Sequence, residues 1–207
     1  MSIHAITTDG AAAPGRLRPI TSAAITTVLV STEATADQYG WDQPPLLFGL
    51  FDHTTADGGA IEVDPSITEP DLWTTPDPHR PGIPLPVPVI LHRLATDLTS
   101  PAARRWLDGW LHTEGRTCVG MGLLLEMWVG PRRPGHRYGA LAKAPAALRG
   151  EVRIVAAVDT DLAVHRVIRV RGADTPHVDR WAHAPAGIRH RRVTAGLHRL
   201  VHLTRSH

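Results

Sequence analysis

The stretch EVRIVAAVDTDLAVHRVIRVRG at residues 151–172 constrains the fold more than any other part of the chain. Its apolar and polar residues alternate, which is the two-residue period of a strand with one dry face. Val152, Ile154, Ala156 and Val158 share a side, and Leu162, Val164, Ile168 and Val170 belong to the returning strand. A three-residue loop, Asp159-Thr160-Asp161, joins them, with Asp161 tolerating the left-handed backbone such a loop needs. This register sets Val158 opposite Leu162, Val152 opposite Ile168 and Glu151 opposite Arg169. The stretch therefore predicts a half-buried antiparallel hairpin whose arginine-bearing face is wet, with Arg166 alone intruding on the dry side.

The remaining periodicities supply partners for that hairpin. Residues 119–129 read as the most hydrophobic strand, with Val119, Met121, Leu123, Leu125, Met127 and Val129 on one face. Gly120 and Gly122 leave the other face bare, so something packs closely there. Shorter strands are expected at 46–52 and 60–64, the latter with Glu62 and Asp64 on its exposed face.

Helices are expected at 22–39, 88–98, 100–113 and 190–204. The first is capped by Thr21 or Ser22, carries Ile25, Val28, Leu29 and Thr32 on one face, and stops at Gly40. The third has Ser100 at its cap, Pro101 at its first position, and Trp106, Leu107, Trp110 and Leu111 on its apolar side. Residues 1–19 read as a flexible tail, and 20–207 as one domain. Residues 65–88 hold eight prolines and read as a long extended loop, anchored by Trp73. Residues 130–149 read as a second loop, and 173–188 as a connector. The resulting expectation is an α+β domain: an antiparallel sheet of about five strands with helices packed on one face.

Composition enters through charge. Residues 163–207 hold nine arginines and two aspartates, against a net charge of −5 over residues 1–162. A chain basic at one end can meet polyanions or pair with its own acidic part. Arg189, Arg191, Arg192 and Arg199 are the candidate phosphate contacts, and Trp181, with Arg180 and His183 beside it, is a weaker candidate for single-strand binding. Lys143 is the only lysine, a bias typical of GC-rich coding.

The single cysteine, Cys118, excludes an intrachain disulfide and a CxxC metal site, and fits a reducing cytoplasm. No apolar run reaches the roughly 18–20 residues that span a bilayer, so no membrane partner is expected. Arg16 and Arg18 before ITSAAITTVLV, with ATA at 34–36, resemble a signal sequence, but the amphipathic-helix reading of that segment is preferred.

Candidate chemistry is sparse. His198 and His202 sit four apart on one helix, a spacing that holds zinc, but no local cluster completes a ligand set. Glu126 lies inside a hydrophobic strand, where it is either an acid or base of raised pKa or the partner of an arginine such as Arg153 or Arg169. Cys118 has no indicated base and reads as structural. The chain has no GxSxG, HExxH, P-loop or strand-linked GxGxxG motif, so no cofactor is expected.

Four stretches carry a resemblance: GWDQPPLLFGLFD at 40–52, the helix around Trp106, GMGLLLEMWVG at 120–130, and the 151–172 hairpin followed by TAGLHRLVHL at 194–203. In this order they resemble an uncharacterised family of small actinobacterial α+β proteins. The resemblance implies the α+β fold and a cytoplasmic setting, and no activity. The sequence thus leads to a non-enzymatic accessory or interaction protein, with a protein partner or self-association. That protein would use the proline-rich loop, the wet sheet face or a self-association surface. A nucleic-acid-associated protein is the alternative, and an enzyme using Glu126 with a histidine is a third reading.

Overall fold

The computed structural model describes residues 19–53, 60–67, 69–113, 115–129, 150–189 and 191–205. Residues 1–18 of the expected tail and the whole 130–149 loop fall outside them.

The chain opens with α1 (Pro19–Gln38), then β1 (Leu46–His53) and β2 (Ala60–Asp64). A 3-10 turn (Pro70–Thr74) and a small hairpin, β3 (Pro76–Asp77) with β4 (Arg80–Pro84), lead to α2 (Val87–Asp97) and α3 (Pro101–Leu111). Then follow β5 (Arg116–Val129), β6 (Gly150–Asp159), β7 (Val164–Val170), β8 (His177–Trp181), α4 (Ala186–Arg189) and α5 (Arg192–Arg205). The main sheet has six antiparallel strands in the order β2-β1-β5-β6-β7-β8. The protein is therefore an α+β domain with helices packed against an antiparallel sheet. The sixth strand, β8, lies in the segment read as a connector.

One face of the sheet carries α2, α3 and α5. Leu91, Leu107, Trp110, Leu197 and Leu200 pack there on Leu47, Met121, Leu123, Val152, Ile154 and Val158. The proline-rich segment joins this core through Ile67, Trp73 and Leu85, so Trp73 does anchor it.

The opposite face, expected to be wet, is covered by α1. Ile25 and Leu29 are fully buried against Phe48, Leu50, Leu124, Val155, Ala157 and Val167. Helices thus lie on both faces, and Arg153 is completely buried. The sequence hides this because α1 has no continuous apolar stripe: its buried side ends in Glu33, which is also fully enclosed.

The hairpin closes two residues away from the expected register. Val158 pairs with Val164, Val152 with Val170 and Arg153 with Arg169. Glu151 instead binds Arg171 at 2.7 Å. A two-residue shift keeps every side chain on its face, which is why the alternation is blind to it. The longer loop is held by Asp159, whose Oδ1 accepts from the amides of Asp161 and Ala163, both at 2.9 Å. Leu162, not Asp161, takes the left-handed backbone, with φ at 65°.

Strand β5 keeps its predicted faces except at Val119. A register shift opposite Leu50 and Phe51 turns Val119 toward α1. The bare face at Gly122 is filled by the Phe48 ring, which would lie 2.2 Å from an added Cβ.

Candidate functional site

The most distinctive polar construction lies between α1 and the sheet. Glu33 accepts two hydrogen bonds from Arg169, from Nε at 2.8 Å and from Nη2 at 2.7 Å. It also accepts one from Arg153 Nη1 at 3.4 Å. Arg153 donates further to Asp37 at 3.0 Å, to Glu126 at 3.0 Å and to the Gly40 carbonyl. The Trp41 ring lies 4.5 Å from its guanidinium carbon. The Asp42 amide donates to the other Glu126 oxygen.

The GWDQP stretch is therefore a clasp. Gly40 and Asp42 adopt left-handed backbone, with φ at 84° and 70°, and turn a carbonyl and an amide onto the Arg153–Glu126 pair. The hydrogen bonds that Arg169 donates to Glu33 push its pKa above the ordinary value, against the opposing effect of burial. Glu126 resolves as the arginine-paired residue, and this arrangement gives the Glu126-based enzyme reading no support.

A second buried chain runs Asp159–His165–Thr26. Asp159 Oδ2 lies 3.0 Å from His165 Nε2, and Nδ1 of the same ring lies 3.0 Å from Thr26 Oγ1. The order carboxylate, imidazole, hydroxyl has the form of a nucleophile relay. However, His165 has no exposed surface, Asp159 Oδ1 caps the loop, and Thr26 also reaches the Ser22 carbonyl at 3.4 Å. These partners make the chain a tether between β7, the loop and α1.

Cys118 lies within β5. Burial raises its thiol pKa, against hydrogen bonding with the Gly120 backbone and the Thr204 side chain that lowers it.

On the surface, the candidate arginines separate. Arg192 and Arg199 are exposed on α5, and Arg199 meets His92 of α2. Arg191 donates to the Gly187 carbonyl at 3.1 Å, and burial followed by the charge of Arg166 pushes it below its ordinary pKa. The Arg189 side chain falls outside the described ones. Three further C-terminal arginines bind acids: Arg166 on Asp179, Arg169 on Glu33 and Arg171 on Glu151. Arg166 also stacks 4.7 Å from the Trp181 ring, which explains how a charged residue is accommodated on the dry side.

His198 is half-buried and His202 is exposed. They line a cleft of about 440 Å³ with His183 from the segment after β8 and Asp161 from the β6–β7 loop. Among the described residues, no three metal-ligating side chains are placed to hold one ion. Sequence spacing showed only the two helical histidines; the other two residues arrive from loops that periodicity does not position.

Trp106 was expected in the core and is not. Helix α3 buries Leu107, Trp110 and Leu111, leaving Trp106 45% exposed. Its ring stacks on Trp110 with centroids 6.2 Å apart and planes 8° from parallel. Trp110 is fixed from behind by an edge-on Phe51 at 4.8 Å and by hydrogen bonds from its indole to Asp64 and Ser66.

No protein-family model, curated protein or solved structure matches the chain. Function is therefore read from the chemistry of the chain's own surface. No helix among the described residues is long and apolar enough to cross a membrane.

Proposed function

We propose that this chain is a non-enzymatic interaction domain that docks a protein partner on the Trp106 side of α3. One observation carries the reading: a large aromatic ring stands exposed on a rigid aromatic base, with the exposed Arg105 beside it. Tryptophan and arginine dominate the energetics of protein interfaces, and a pre-fixed ring loses little freedom on binding. The partner that suits this surface presents an apolar side chain flanked by a carboxylate, which meets Trp106 and Arg105 together. The polar groups between α1 and the sheet support the same reading, because their hydrogen-bonding capacity serves the fold. The reading retains a cytoplasmic setting, where a single cysteine stays reduced.

The test is a photo-crosslinking amino acid placed at position 106 of the full chain in its source cells, with position 192 as control. A discrete adduct at 106, lost on Arg105→Glu, with its crosslinked peptide acidic, is the expected result. Equal labelling at both positions, or none at 106, overturns the proposal.

A second reading, association with nucleic acid through the C-terminal region, is favoured by Arg180, Arg192 and Arg205. These are exposed and have no acidic partner among the described residues. It requires a shift of labelled DNA or RNA that weakens with salt and is lost on changing Arg189, Arg191 and Arg192 to Ala. Failure to bind at low salt removes it.

A further inference from the structure

The cleft that holds His198 and His202 is built from three separately anchored walls. Asp161 and Leu162 belong to the β6–β7 loop, which Asp159 fixes through the amides of residues 161 and 163. His183 lies just beyond β8. Ala195, His198 and His202 lie along one side of α5, at spacings of three and four residues. That helix is seated by the fully buried Leu197 and Val201. The walls are thus positioned by the core, and a volume of about 440 Å³ falls within the range of small-molecule sites.

The arrangement of donors limits the occupant. Among the described residues, four potential ligand groups line the cleft, yet no three of them are placed for one ion. An occupant that touches several of them is a molecule with more than one polar atom, not a bare cation. Its charge follows from the setting. Among the described residues, the titratable groups that line the cleft are one carboxylate, Asp161, and three imidazoles, and the helix forming one wall carries Arg192, Arg199 and Arg205. The three arginines of that helix outnumber the single carboxylate, and a cleft concentrates such a field. Asp161 suits a hydroxyl or N–H group on the same molecule.

We propose that this cleft binds a small organic oxyanion, a phosphate monoester or a carboxylate, that also carries a hydrogen-bond donor. The imidazoles of His183, His198 and His202 receive the anionic end, and Asp161 receives the donor. The site is independent of the Trp106 surface.

The experiment follows the ring resonances of the histidines by NMR in the full chain, assigned with single His→Gln variants. The probes are glycerol 3-phosphate, inorganic phosphate and Zn²⁺. Expected is a saturable movement of the His183, His198 and His202 signals with glycerol 3-phosphate. Inorganic phosphate, lacking the donor, binds more weakly, and Asp161→Asn tightens it severalfold by removing a like charge. Three outcomes overturn the proposal. They are no saturable change with either phosphate, an equal drift of all histidines that tracks ionic strength, or selective movement with Zn²⁺ that Asp161→Asn abolishes. His202→Gln, at an exposed position, distinguishes loss of binding from loss of folding, because its far-UV spectrum should match the parent.

Discussion

Replacing Glu33 with Gln removes one charge without changing the shape of the side chain, and the structure sets the size of the effect. Glu33 and Arg153 have no exposed surface, and Arg169 is 8% exposed. The two arginines sit directly opposite each other on β6 and β7. Like charges so placed repel, and Glu33 is the carboxylate that bridges both. An amide offers one acceptor oxygen and points its own N–H groups at guanidinium donors. Leaving a buried charge uncompensated costs about 3–5 kcal/mol, a large part of the roughly 5–15 kcal/mol by which domains are stable. At a urea slope of about 2 kcal/mol per molar, the midpoint should fall by about 2 M with the slope unchanged.

Circular dichroism during urea unfolding is the assay, and a double-mutant cycle isolates the pair. Changing Glu33 and Arg169 together to Leu should cost far less than the two single changes added. Arg153 then still holds Asp37 and Glu126, and the vacated space is filled by apolar groups. A Glu33→Gln loss below about 1 kcal/mol, or single effects that simply add, would refute the account of α1 as an electrostatically bridged helix.

Gly122→Ala should destabilise by about 1–3 kcal/mol or more, seen as a lowered thermal midpoint, because the new methyl collides with the fixed Phe48 ring. The Asp64 carboxyl is raised by burial but lowered further by hydrogen bonds from Ser66, Arg116 and Trp110, so its folded pKa lies below the ordinary 3.8. Its contribution is present above the unfolded pKa and lost as pH falls through the folded one. Asp64→Asn should therefore be less stable than the parent at pH 7, and the two should converge as the pH falls below 3.8 in urea titrations. Cys118, with its thiol pKa raised by burial, should react with iodoacetamide at pH 8 at least tenfold more slowly in the native chain than in urea.

What the sequence made legible was whatever periodicity controls. Strands β1, β2, β5, β6 and β7 and helices α2, α3 and α5 lie within a few residues of their expected positions, because each repeats apolar residues at one clear spacing. Strand β8 was missed because HVDRW carries a single aliphatic residue, and its position on the edge of the sheet buries little. Trp106 was misplaced because it borders the apolar stripe that Leu107 and Trp110 occupy. The cleft was half visible: His198 and His202 share a helix face, whereas Asp161 and His183 reach it only through chain reversal. Burial of Arg153 and Arg169 was hidden more deeply, since an arginine in an alternating strand looks the same whether water or Glu33 lies above it.

That last case bears on how α1 finds its place. Ile25 and Leu29 supply a non-directional drive of roughly 1.5–3 kcal/mol each, which would hold the helix almost equally well if it slid or rolled. Its polar contacts would not. Thr21 reaches Asp52 on β1, Thr26 reaches His165 on β7, and Glu33 and Asp37 reach Arg153 on β6. These tethers lie along the helix from its first turn to its last and end on three different strands. A one-residue slide would rotate each helical residue by about 100° and break all of them together. The apolar contacts therefore hold α1 on the sheet, and the buried polar ones select its register. This division explains why a helix with so weak an apolar stripe can close one whole face of the protein, and why the GWDQP turn, which follows it, clamps the same arginine that the helix does.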